Sequence, residues 1–537
     1  MNKVPSNQAQ EPYQLPIHYF VPNQFLLLIE HNEGLQAESL QRYIGSFNLA
    51  ETSINRERIL TFERGEEGRF DHFSLVPVEI QGEISDDDQI EVIERFYRES
   101  RKRKHDNFFV RSASPNWLAS TAQGQMVTGG PGTMPVPPNP IPPAGDNQIY
   151  SFRLATSAEV VSITGVSPGV NPTEFDRGLS GEVGRKTAPR PVEIALLDTV
   201  PPPERIREAF AKWHYDHPLI ESLLSPNGTL PSDHLRVTYR DAMPNGVTLF
   251  EALENEADHD QAYGVLNHVY EMSDHGLFAA GIAHTLAPQA SIHLVEVLSK
   301  WGVGTTETLA LGLNTILNER RSEAVDLIIN CSLTIQFPWD TKHAKDALPR
   351  SLVKMLNTKA RRAGFIERVM LPIRWILEAF QNKYPNVLIV AAAGNDGRAG
   401  NSRRPLARYP AAFPDVIGAG ALKSDYDFAP YTNQSDLPLN AGIATFGGDT
   451  DQDRADAATG MLGIYIGEFP DGQGGTLPND SGWGRWAGTS FAAPVISGVL
   501  AARIGMGEHP DDAHTWIEDL LIEASGSDNI FPMKQGT

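Results

Sequence analysis

Four polar residues border apolar segments of this sequence, and their types match the parts of an acyl-transfer site. Asp198 ends the run "VEIALLD", His275 precedes a segment rich in alanine and glycine, and Asn395 follows the run "NVLIVAAAG". Ser490 stands among small residues at the start of another apolar segment. Acyl transfer at neutral pH needs a nucleophile, a base, a group that orients the base, and donors for the oxyanion. Alone, each residue is more often a turn, a cap or a structural group, but together they fill all four roles.

Apolar, β-rich segments recur through the C-terminal part of the chain and must position these residues. Helix-like stretches such as "TTETLALGLNTILNERR" separate several of them. Near-continuous apolar strands that alternate with helices predict a parallel sheet covered by helices on both faces. Ligands of such sheets bind at the carboxyl ends of the strands, where Asp198 and Asn395 stand. The predicted strands are Val192–Asp198, Leu235–Tyr239, Ser291–Val297, Val325–Ser332, Asn386–Ala393 and Asp415–Ala421.

Ser490 is predicted to lie at the start of a helix. Pro494 follows four residues later, and proline is tolerated only near the first turn of a helix or at a kink. The helix must therefore begin close to Ser490, where free N–H groups and the helix dipole favour negative charge. The small neighbours Gly488, Ala492 and Ala493 leave room for a substrate backbone.

These four segments, in this order, resemble the sequence blocks of the subtilases, the subtilisin-like serine peptidases. "GTSFAAPVISG" is similar to the serine block, "DHGLFAAGI" to the histidine block, "IALLDT" to the aspartate block and "AAAGND" to the oxyanion block. The resemblance extends from about residue 148 to the C-terminus and implies a subtilisin-like α/β fold. It implies Ser490 as nucleophile, His275 as general base and then acid, and Asp198 as the anion that orients the base. Asn395 would donate to the oxyanion beside the backbone N–H of Ser490.

The same resemblance implies where a protein or peptide substrate would bind. Ser332, Leu333 and Thr334, in "NCSLT", would receive the peptide as an added β-strand, and Gly394 belongs to the same substrate-binding set. No cofactor is implied.

The sequence departs from the subtilase pattern at three places. Val200 replaces the glycine that usually follows the aspartate block, and because a β-branched residue disfavours positive φ, the turn there must differ. Leu277 and Phe278 replace the usual Thr-His pair after the glycine that follows His275. Insertions are expected between Asp198 and His275 and at residues 337–365, where Lys and Arg exceed Asp and Glu. This second insertion indicates either an acidic substrate or a solvated helix face, and the latter is favoured.

The N-terminal part reads as a separate α+β unit. Its predicted elements follow the order β-α-β-β-α-β of a ferredoxin-like split unit, which resembles the propeptides of subtilases, whose C-terminal tail lies in the active-site cleft. We expect residues 14–122 to form this propeptide-like domain, 123–147 a Pro/Gly-rich linker and 148–537 the catalytic domain. The domain would assist folding and inhibit the enzyme, and cleavage near Ala119–Gln123 would release activity. The alternative is a docking domain that is retained.

Composition limits the partners and the compartment. The chain has 45 Lys and Arg against 67 Asp and Glu, a net charge of −22, which argues against nucleic acid and anionic membranes as partners. The single cysteine, Cys331, suggests a reducing compartment. The first twenty residues lack the apolar core of a signal peptide, and no uncharged apolar run approaches the length of a membrane span. A cytoplasmic protein is expected.

One acidic segment, "GDTDQDRAD", begins like a calcium loop. It lacks the central glycine and the terminal glutamate of such loops, so a solvated loop is favoured over calcium binding. The residues concerned are Asp449, Asp451, Asp453 and Asp456.

The sequence therefore predicts an intracellular serine endopeptidase, a zymogen regulated by its N-terminal domain. Two alternatives remain open. A peptide ligase or macrocyclase of the same fold would pass the acyl group to an amine instead of water. An inactive pseudopeptidase would act as a binding module, although the presence of all four catalytic residue types argues against it.

Overall fold

The structure is a computed structural model. Short gaps interrupt the described ranges at residues 33, 49–50, 65–69, 83, 104, 106, 425–426, 452–453, 472–474 and 511. The residues that the structure describes are 19–121, 134–142, 152–155, 160–163, 190–225, 234–243, 246, 270–319, 325–335, 349–397, 404–434, 442–512 and 533–535.

The N-terminal elements form an antiparallel sheet with two helices. Strands β5, β1, β4 and β2 lie side by side in this order, and β3 also pairs with β4. This is the predicted ferredoxin-like split unit, with one additional short strand, β2. The elements are β1 Phe20–His31, α1 Ala37–Gly45, β2 Thr52–Ile54, a 3-10 turn Arg56–Arg58, β3 Leu60–Glu63, β4 His72–Ile80, α2 Asp86–Ser100 and β5 Phe108–Thr121.

Both faces of this N-terminal sheet are buried, which explains the unbroken apolar run in β1. Successive residues of a strand point to opposite faces. Phe25 and Leu27 pack with α1 and α2 in the domain's own core. Leu26 and Leu28, on the other face, join an apolar cluster that extends into the C-terminal part.

The C-terminal part contains a seven-stranded parallel sheet. Its strands lie in the order β16-β15-β14-β12-β8-β10-β9. The six predicted strands are present, and β16 is a seventh that the sequence pattern did not indicate. The strands are β8 Val192–Asp198, β9 Leu235–Thr238, β10 Ser291–Glu296, β12 Asp326–Cys331, β14 Leu388–Ala392, β15 Ile417–Leu422 and β16 Ile443–Phe446.

Helices cover both faces of the parallel sheet, as predicted. Ile194 and Leu196 of β8 pack in one cluster with α3, α4, α5 and α9, whereas Ala195 and Leu197 pack in another with α6, α7 and α8. Among the described helices, none is long and apolar enough to cross a membrane. These helices are α3 Pro203–Trp213, α4 Pro218–Leu224, α5 His275–Leu286, α6 Thr306–Asn318, α7 Arg350–Leu356, α8 Lys359–Lys383 and α9 Thr489–Gly505.

Short strands complete the fold. Two of them, β11 and β13, pair with the end of β5 and so join the N-terminal sheet to the C-terminal part. A 3-10 turn spans Arg240–Ala242. The remaining strands are β6 Phe152–Ala155, β7 Val160–Ile163, β11 Val303–Thr305, β13 Leu333–Ile335, β17 Thr450–Asp451, β18 Arg454–Ala455, β19 Met461–Ile464, β20 Phe469–Pro470, β21 Thr476–Leu477, β22 Trp483–Trp486 and β23 Met533–Gln535.

Candidate active site

Asp198 and His275 form a hydrogen-bonded pair with no solvent exposure. Asp198 is the last residue of β8 and His275 the first of α5, and the carboxylate Oδ1 lies 2.8 Å from Nδ1 of the ring. A carboxylate accepts, so the ring donates from Nδ1 and its Nε2 is left as the basic nitrogen. This is the arrangement in which an anion orients a general base.

Thr199 ties this pair to the backbone around it. Its N–H donates to Asp198 Oδ1 over 2.7 Å, and its hydroxyl donates to the carbonyl of Met272 over 2.8 Å. The same hydroxyl accepts the N–H of Gly276 at 3.2 Å. Thr199 therefore fixes the carboxylate and the start of α5 at once.

Gly276 permits the close approach of α5 to the end of β8. A Cβ built on this residue would lie 2.2 Å from the carbonyl oxygen of Thr199 and 2.9 Å from Cβ of Asp198. No side chain fits at such distances, so the glycine that follows His275 is required by packing.

Ser490 is the second residue of α9 and is fully buried. Pro494 has no N–H, so the carbonyl of Ser490 loses its usual bond within the helix. Ser332 fills this role, because its hydroxyl donates to that carbonyl over 2.7 Å. Pro494, which was predicted to lie near the start of the helix, thus leaves the carbonyl of Ser490 free to accept the bond from Ser332.

The candidate nucleophile atom of Ser490 and the candidate base atom of His275 have no hydrogen-bond partner among the described residues. Ser490 Oγ and His275 Nε2 are both buried and unbonded within the described part of the chain. Phe491, next to Ser490, has its ring centroid 5.1 Å from that of His275, so the two elements meet here. Buried polar atoms without partners are costly, and hydrogen bonds of catalytic groups often tighten only when substrate binds.

Asn395 follows β14 at the predicted oxyanion position. Its Oδ1 accepts from the N–H of Thr489 at 3.0 Å and from the Thr489 hydroxyl at 2.9 Å. These two bonds fix the amide with its oxygen toward α9 and leave Nδ2 as the donor. Gly394 has φ +110°, and its N–H donates to the Thr489 hydroxyl, so the turn requires a residue without a side chain.

The predicted substrate strand is paired with the chain's own N-terminal domain. Leu333 and Thr334 are the first two residues of β13. In an antiparallel arrangement, Leu333 pairs with Thr121 of β5 and Thr334 with Ser120. On its other edge, the end of β5 pairs with β11. Residues 118–121 therefore occupy a groove between two strands, in the manner of an inserted peptide.

The departures from the subtilase pattern are accommodated by apolar packing. Val200 is buried in the cluster that contains α5 and does not have positive φ, so the turn after Asp198 does differ from one that needs glycine. Phe278 packs against Phe491 and Trp486, at ring centroid distances of 4.7 and 5.7 Å.

Trp486 is a residue of the site that sequence reasoning missed. Its ring meets the ring of His275 edge to face, with centroids 5.3 Å apart. The only signal was its place directly before the block that contains Ser490. A buried tryptophan here helps to keep water from the imidazole.

Cys331 is excluded as an alternative nucleophile. It is buried in β12, and burial, together with the charge of Asp198, raises the pKa of its thiol to about 12. A thiol in this state carries no thiolate at neutral pH.

The acidic segment predicted as a possible calcium loop bonds within the protein. Asp449 accepts from the N–H of Ser424, and Asp456 from the N–H groups of Ala458 and Thr459. Asp453 lies outside the described residues. The preference for a loop without calcium stays an untested prediction.

Among the described residues, one other group places three metal-ligating side chains together, namely Glu193, His293 and Glu319. Arg236 lies within it: its Nη2 is 2.7 Å from Glu319 and 2.8 Å from Nδ1 of His293. The guanidinium therefore already supplies the positive charge that a metal would bring.

Comparison with known proteins identifies similar sequences. The family described as "Subtilase family" matches residues 213–537, which include His275, Asn395 and Ser490 but begin after Asp198. The chain is 27% identical over 217 residues to the major intracellular serine protease of Bacillus subtilis, covering 40% of this chain and 47% of that protein. It is 25% identical over 257 residues to the subtilisin-like protease PopC of Myxococcus xanthus, covering 45% and 43%. The matches thus span about half the length of these relatives.

Solved structures are also similar. The prenylagaramide maturation protease PagA is 20% identical with a TM-score of 0.33, and the match covers 64% of this chain and 86% of that chain. A cold-adapted subtilisin-like serine proteinase is 17% identical with a TM-score of 0.33, covering 63% and 85%.

Proposed function

Because the chain belongs to the subtilase family of serine proteases, we propose that it is an endopeptidase in which Ser490 attacks peptide bonds with His275 as base. One observation carries this proposal. His275 Nδ1 is bonded to a buried carboxylate, while its Nε2 and the Oγ of Ser490 are both buried with no other partner. A buried base and a buried nucleophile, each without a bond and on elements that meet at His275 and Phe491, fit a site that a substrate completes.

The proposed reaction begins when Ser490 Oγ attacks the scissile carbonyl carbon and His275 Nε2 takes the hydroxyl proton. Asp198 stabilises the imidazolium that forms. The oxyanion accepts from Nδ2 of Asn395 and from the N–H of Ser490 at the start of α9. His275 then gives its proton to the leaving amine, and water repeats the sequence on the acyl-enzyme.

The proposed inhibition follows from the pairing of β5. Residues 118–121 hold the edges of β11 and β13 that a substrate strand would need. While they remain there, a substrate cannot add to the groove. This pairing supports a zymogen whose N-terminal domain blocks its own cleft, with processing near Ala119–Gln123, of which 122–123 lie outside the described residues.

A cytoplasmic role is part of the same proposal. Its support is the single buried Cys331, which suits a reducing compartment, and the similarity to a relative named as an intracellular serine protease. The substrate would then be a specific intracellular protein.

A fluorophosphonate probe, which reacts with activated serines, tests the proposal. Ser490→Ala should abolish labelling. Ser222→Ala is the matched control, since Ser222 Oγ lies 2.7 Å from Nε2 of a histidine, His284, whose Nδ1 is bonded to no carboxylate. Labelling should be slow in the intact chain and faster in an Ala119→Pro, Ser120→Pro variant, because proline disrupts strand pairing.

Failure of both the wild type and the proline variant to label would overturn the proposal and favour a binding module. If the protein does label, the masses of its reaction products distinguish a peptidase from a peptide ligase. Peptides that gain the mass of water indicate hydrolysis, whereas joined peptides indicate a ligase or macrocyclase.

A further inference from the structure

We infer that residues 134–142 are a positioning segment of the candidate active site and not a passive linker, an inference that rests on the proposed function. They belong to the Pro/Gly-rich stretch 123–147 that the sequence marks as a linker. They lie along the C-terminal part of the chain, and we call them the brace. The strand that the brace holds, β22, leads into the residues directly before Ser490.

The centre of the brace pairs with β22. The N–H of Val136 donates to the carbonyl of Arg485, and the N–H of Arg485 donates back to the carbonyl of Val136, both over 2.9 Å. The two residues thus form an antiparallel bridge of the kind that joins neighbouring strands. Because β19 pairs with the same strand, the brace acts as an additional strand of this small sheet.

Backbone bonds on either side of Val136 extend the attachment. The carbonyl of Met134 accepts the N–H of Ala455, in β18, at 3.0 Å. Further along, the N–H of Asn139 donates to the carbonyl of Ala457 over 2.8 Å. The brace therefore ties the segment around β18 to β22.

The composition of the brace suits this attachment. Five of its nine residues are proline, at positions 135, 137, 138, 140 and 142. Proline has no N–H and a fixed φ, so these residues need no acceptor and lose little conformational freedom when the segment becomes ordered. The N–H groups that do bond to the C-terminal part belong to Val136 and Asn139. Such a segment is ordered at low entropic cost.

Val136 also packs toward the residues that precede Ser490. Its side chain is partly buried against a cluster that contains Tyr431, Ala455 and Ala487. Ala487 stands between β22 and α9, in the short connection that leads to Ser490. The brace thus contacts this connection through its side chain as well as β22 through its backbone.

The same strand carries the tryptophan that faces the candidate base. Trp486 directly follows Arg485, and its ring centroid lies 5.3 Å from that of His275. Helix α9 begins at Thr489, one residue before Ser490. A shift of β22 would therefore move both the tryptophan beside the base and the start of the helix that carries the nucleophile. Misplacement by about 1 Å can lower a rate about 10²-fold even when it originates away from the chemistry.

The brace and the end of β5 act on the site in opposite ways. The processing that we propose lies on the N-terminal side of the brace, so it leaves the brace covalently joined to the strands that it holds. Residues 118–121 block the groove, whereas the brace keeps β22 in place. Positioning by the brace therefore does not require the N-terminal domain.

Hydrogen exchange tests the brace without any need for catalysis. The experiment uses the full chain carrying Ser490→Ala and adds Val136→Pro, which removes the donor to the carbonyl of Arg485. We expect the N–H of Arg485 to exchange about tenfold faster, as measured by mass spectrometry on a peptide that spans β22. Pro137→Ala, at an exposed position between the bonded residues, should leave this exchange unchanged.

Fluorophosphonate labelling and kinetics test the consequence for Ser490. The Ala119→Pro, Ser120→Pro variant is compared with and without Val136→Pro. We expect the labelling rate and kcat on a peptide substrate to fall about tenfold. KM should change little, because the brace bonds to β18 and β22, whereas the proposed groove lies between β11 and β13. A general loss of structure would instead lower the midpoint of urea unfolding and change both constants.

Unchanged exchange at Arg485 in both Val136→Pro and a milder Val136→Ala variant would overturn the inference. Faster exchange with an unchanged labelling rate would also overturn it, since the brace would then hold β22 without positioning the site. Faster exchange in Val136→Pro, with no labelling of the wild type or of the Ala119→Pro, Ser120→Pro variant, would refute the proposed function alone. The two failures are therefore distinguishable.

Discussion

At the scale of single residues, the chemistry depends on which nitrogen of His275 carries the proton. Asp198 accepts from Nδ1, and Thr199 holds the carboxylate in place through its own N–H. Ser332 fixes the carbonyl of Ser490 that Pro494 leaves without a helix partner. Each group to which we assign a reactive role is thus held by a neighbour that has no such role in the proposed mechanism.

Asp198→Asn tests the orientation of the base. An amide in place of the carboxylate favours the wrong tautomer of His275 and gives no charge to stabilise the imidazolium. We expect kcat to fall about 10⁴-fold, the size found for this change in another serine protease. Asp326→Asn is the control, since Asp326 is a buried aspartate at the opposite end of neighbouring β12 and pairs with Arg190. An equal loss of kcat in both variants would contradict this role.

Asn395→Asp tests the oxyanion donor separately from its structural bonds. The carboxylate can still accept from Thr489 but removes the Nδ2 donor and adds negative charge. The expected fall in kcat is at least about 10²–10³-fold, a value measured on a subtilisin, with little change in KM. Steady-state kinetics on a peptide substrate give both constants. A variant with wild-type kcat would remove Asn395 from the proposed mechanism.

At the scale of elements, the site depends on how closely α5 approaches β8. Gly276→Ala places a methyl group against the carbonyl of Thr199, so the start of α5 must move. We expect a loss of about 1–3 kcal/mol of stability and a large loss of activity. Gly364→Ala in α8 is the matched control, because a Cβ there meets nothing within 4 Å. It should stabilise the chain by about 0.5–1 kcal/mol. Urea unfolding measures both.

Helix α4 has a pH-sensitive cap. His217 Nδ1 accepts the N–H of Ile220, and its ring stacks on Trp483 at 3.4 Å. Burial lowers the pKa of His217 to about 3. Between about pH 6.5 and pH 3, His217 is therefore protonated in the unfolded chain but neutral in the folded chain. Stability is therefore full above the unfolded pKa of about 6.5 and falls by roughly 1.4 kcal/mol per pH unit from this group toward pH 3.

The measurement for the cap is unfolding free energy against pH. His217→Gln should lower stability at pH 7 but flatten the acid slope relative to wild type. His284, whose pKa burial also lowers to about 3, should keep part of the slope in His217→Gln. An acid slope of wild-type size in that variant would show that His217 is not its source.

The sequence predicts an element well when its own residues carry the pattern, and poorly when the element depends on contacts with residues far away in the sequence. Apolar runs such as that of β8 carry their own signal, and in both parts the elements that were predicted follow one another in the predicted order. Strands β11 and β13 are three residues long and exist because they pair with β5, far away in sequence, so no local period marks them. The contact of Trp486 with His275 likewise joins distant segments.

At the scale of the whole molecule, a buried ion pair joins the two parts of the chain, in addition to the strand pairing of β5 and the shared apolar cluster. Arg58 of the N-terminal domain bonds to Glu307 in the first turn of α6, with Nε 2.7 Å from Oε1 and Nη2 2.5 Å from Oε2. Asn116, in β5, donates to the same carboxylate. The N-terminal elements therefore supply the partners of a carboxylate that is buried in the C-terminal part.

Arg58→Ala should cost about 3–5 kcal/mol, because it leaves Glu307 buried and without its cation. Arg58→Met with Glu307→Gln should recover much of this loss. Burial raises the pKa of Glu307 above 4.5 even beside Arg58, so without the arginine the protonated acid is favoured further. Stability from this group is present below pH 4.5 and lost as pH rises, so the defect of Arg58→Ala should be smaller at pH 4.5 than at pH 7. Urea unfolding at both values measures this, and an equal defect at the two pH values would show that the carboxylate is not the source of the cost.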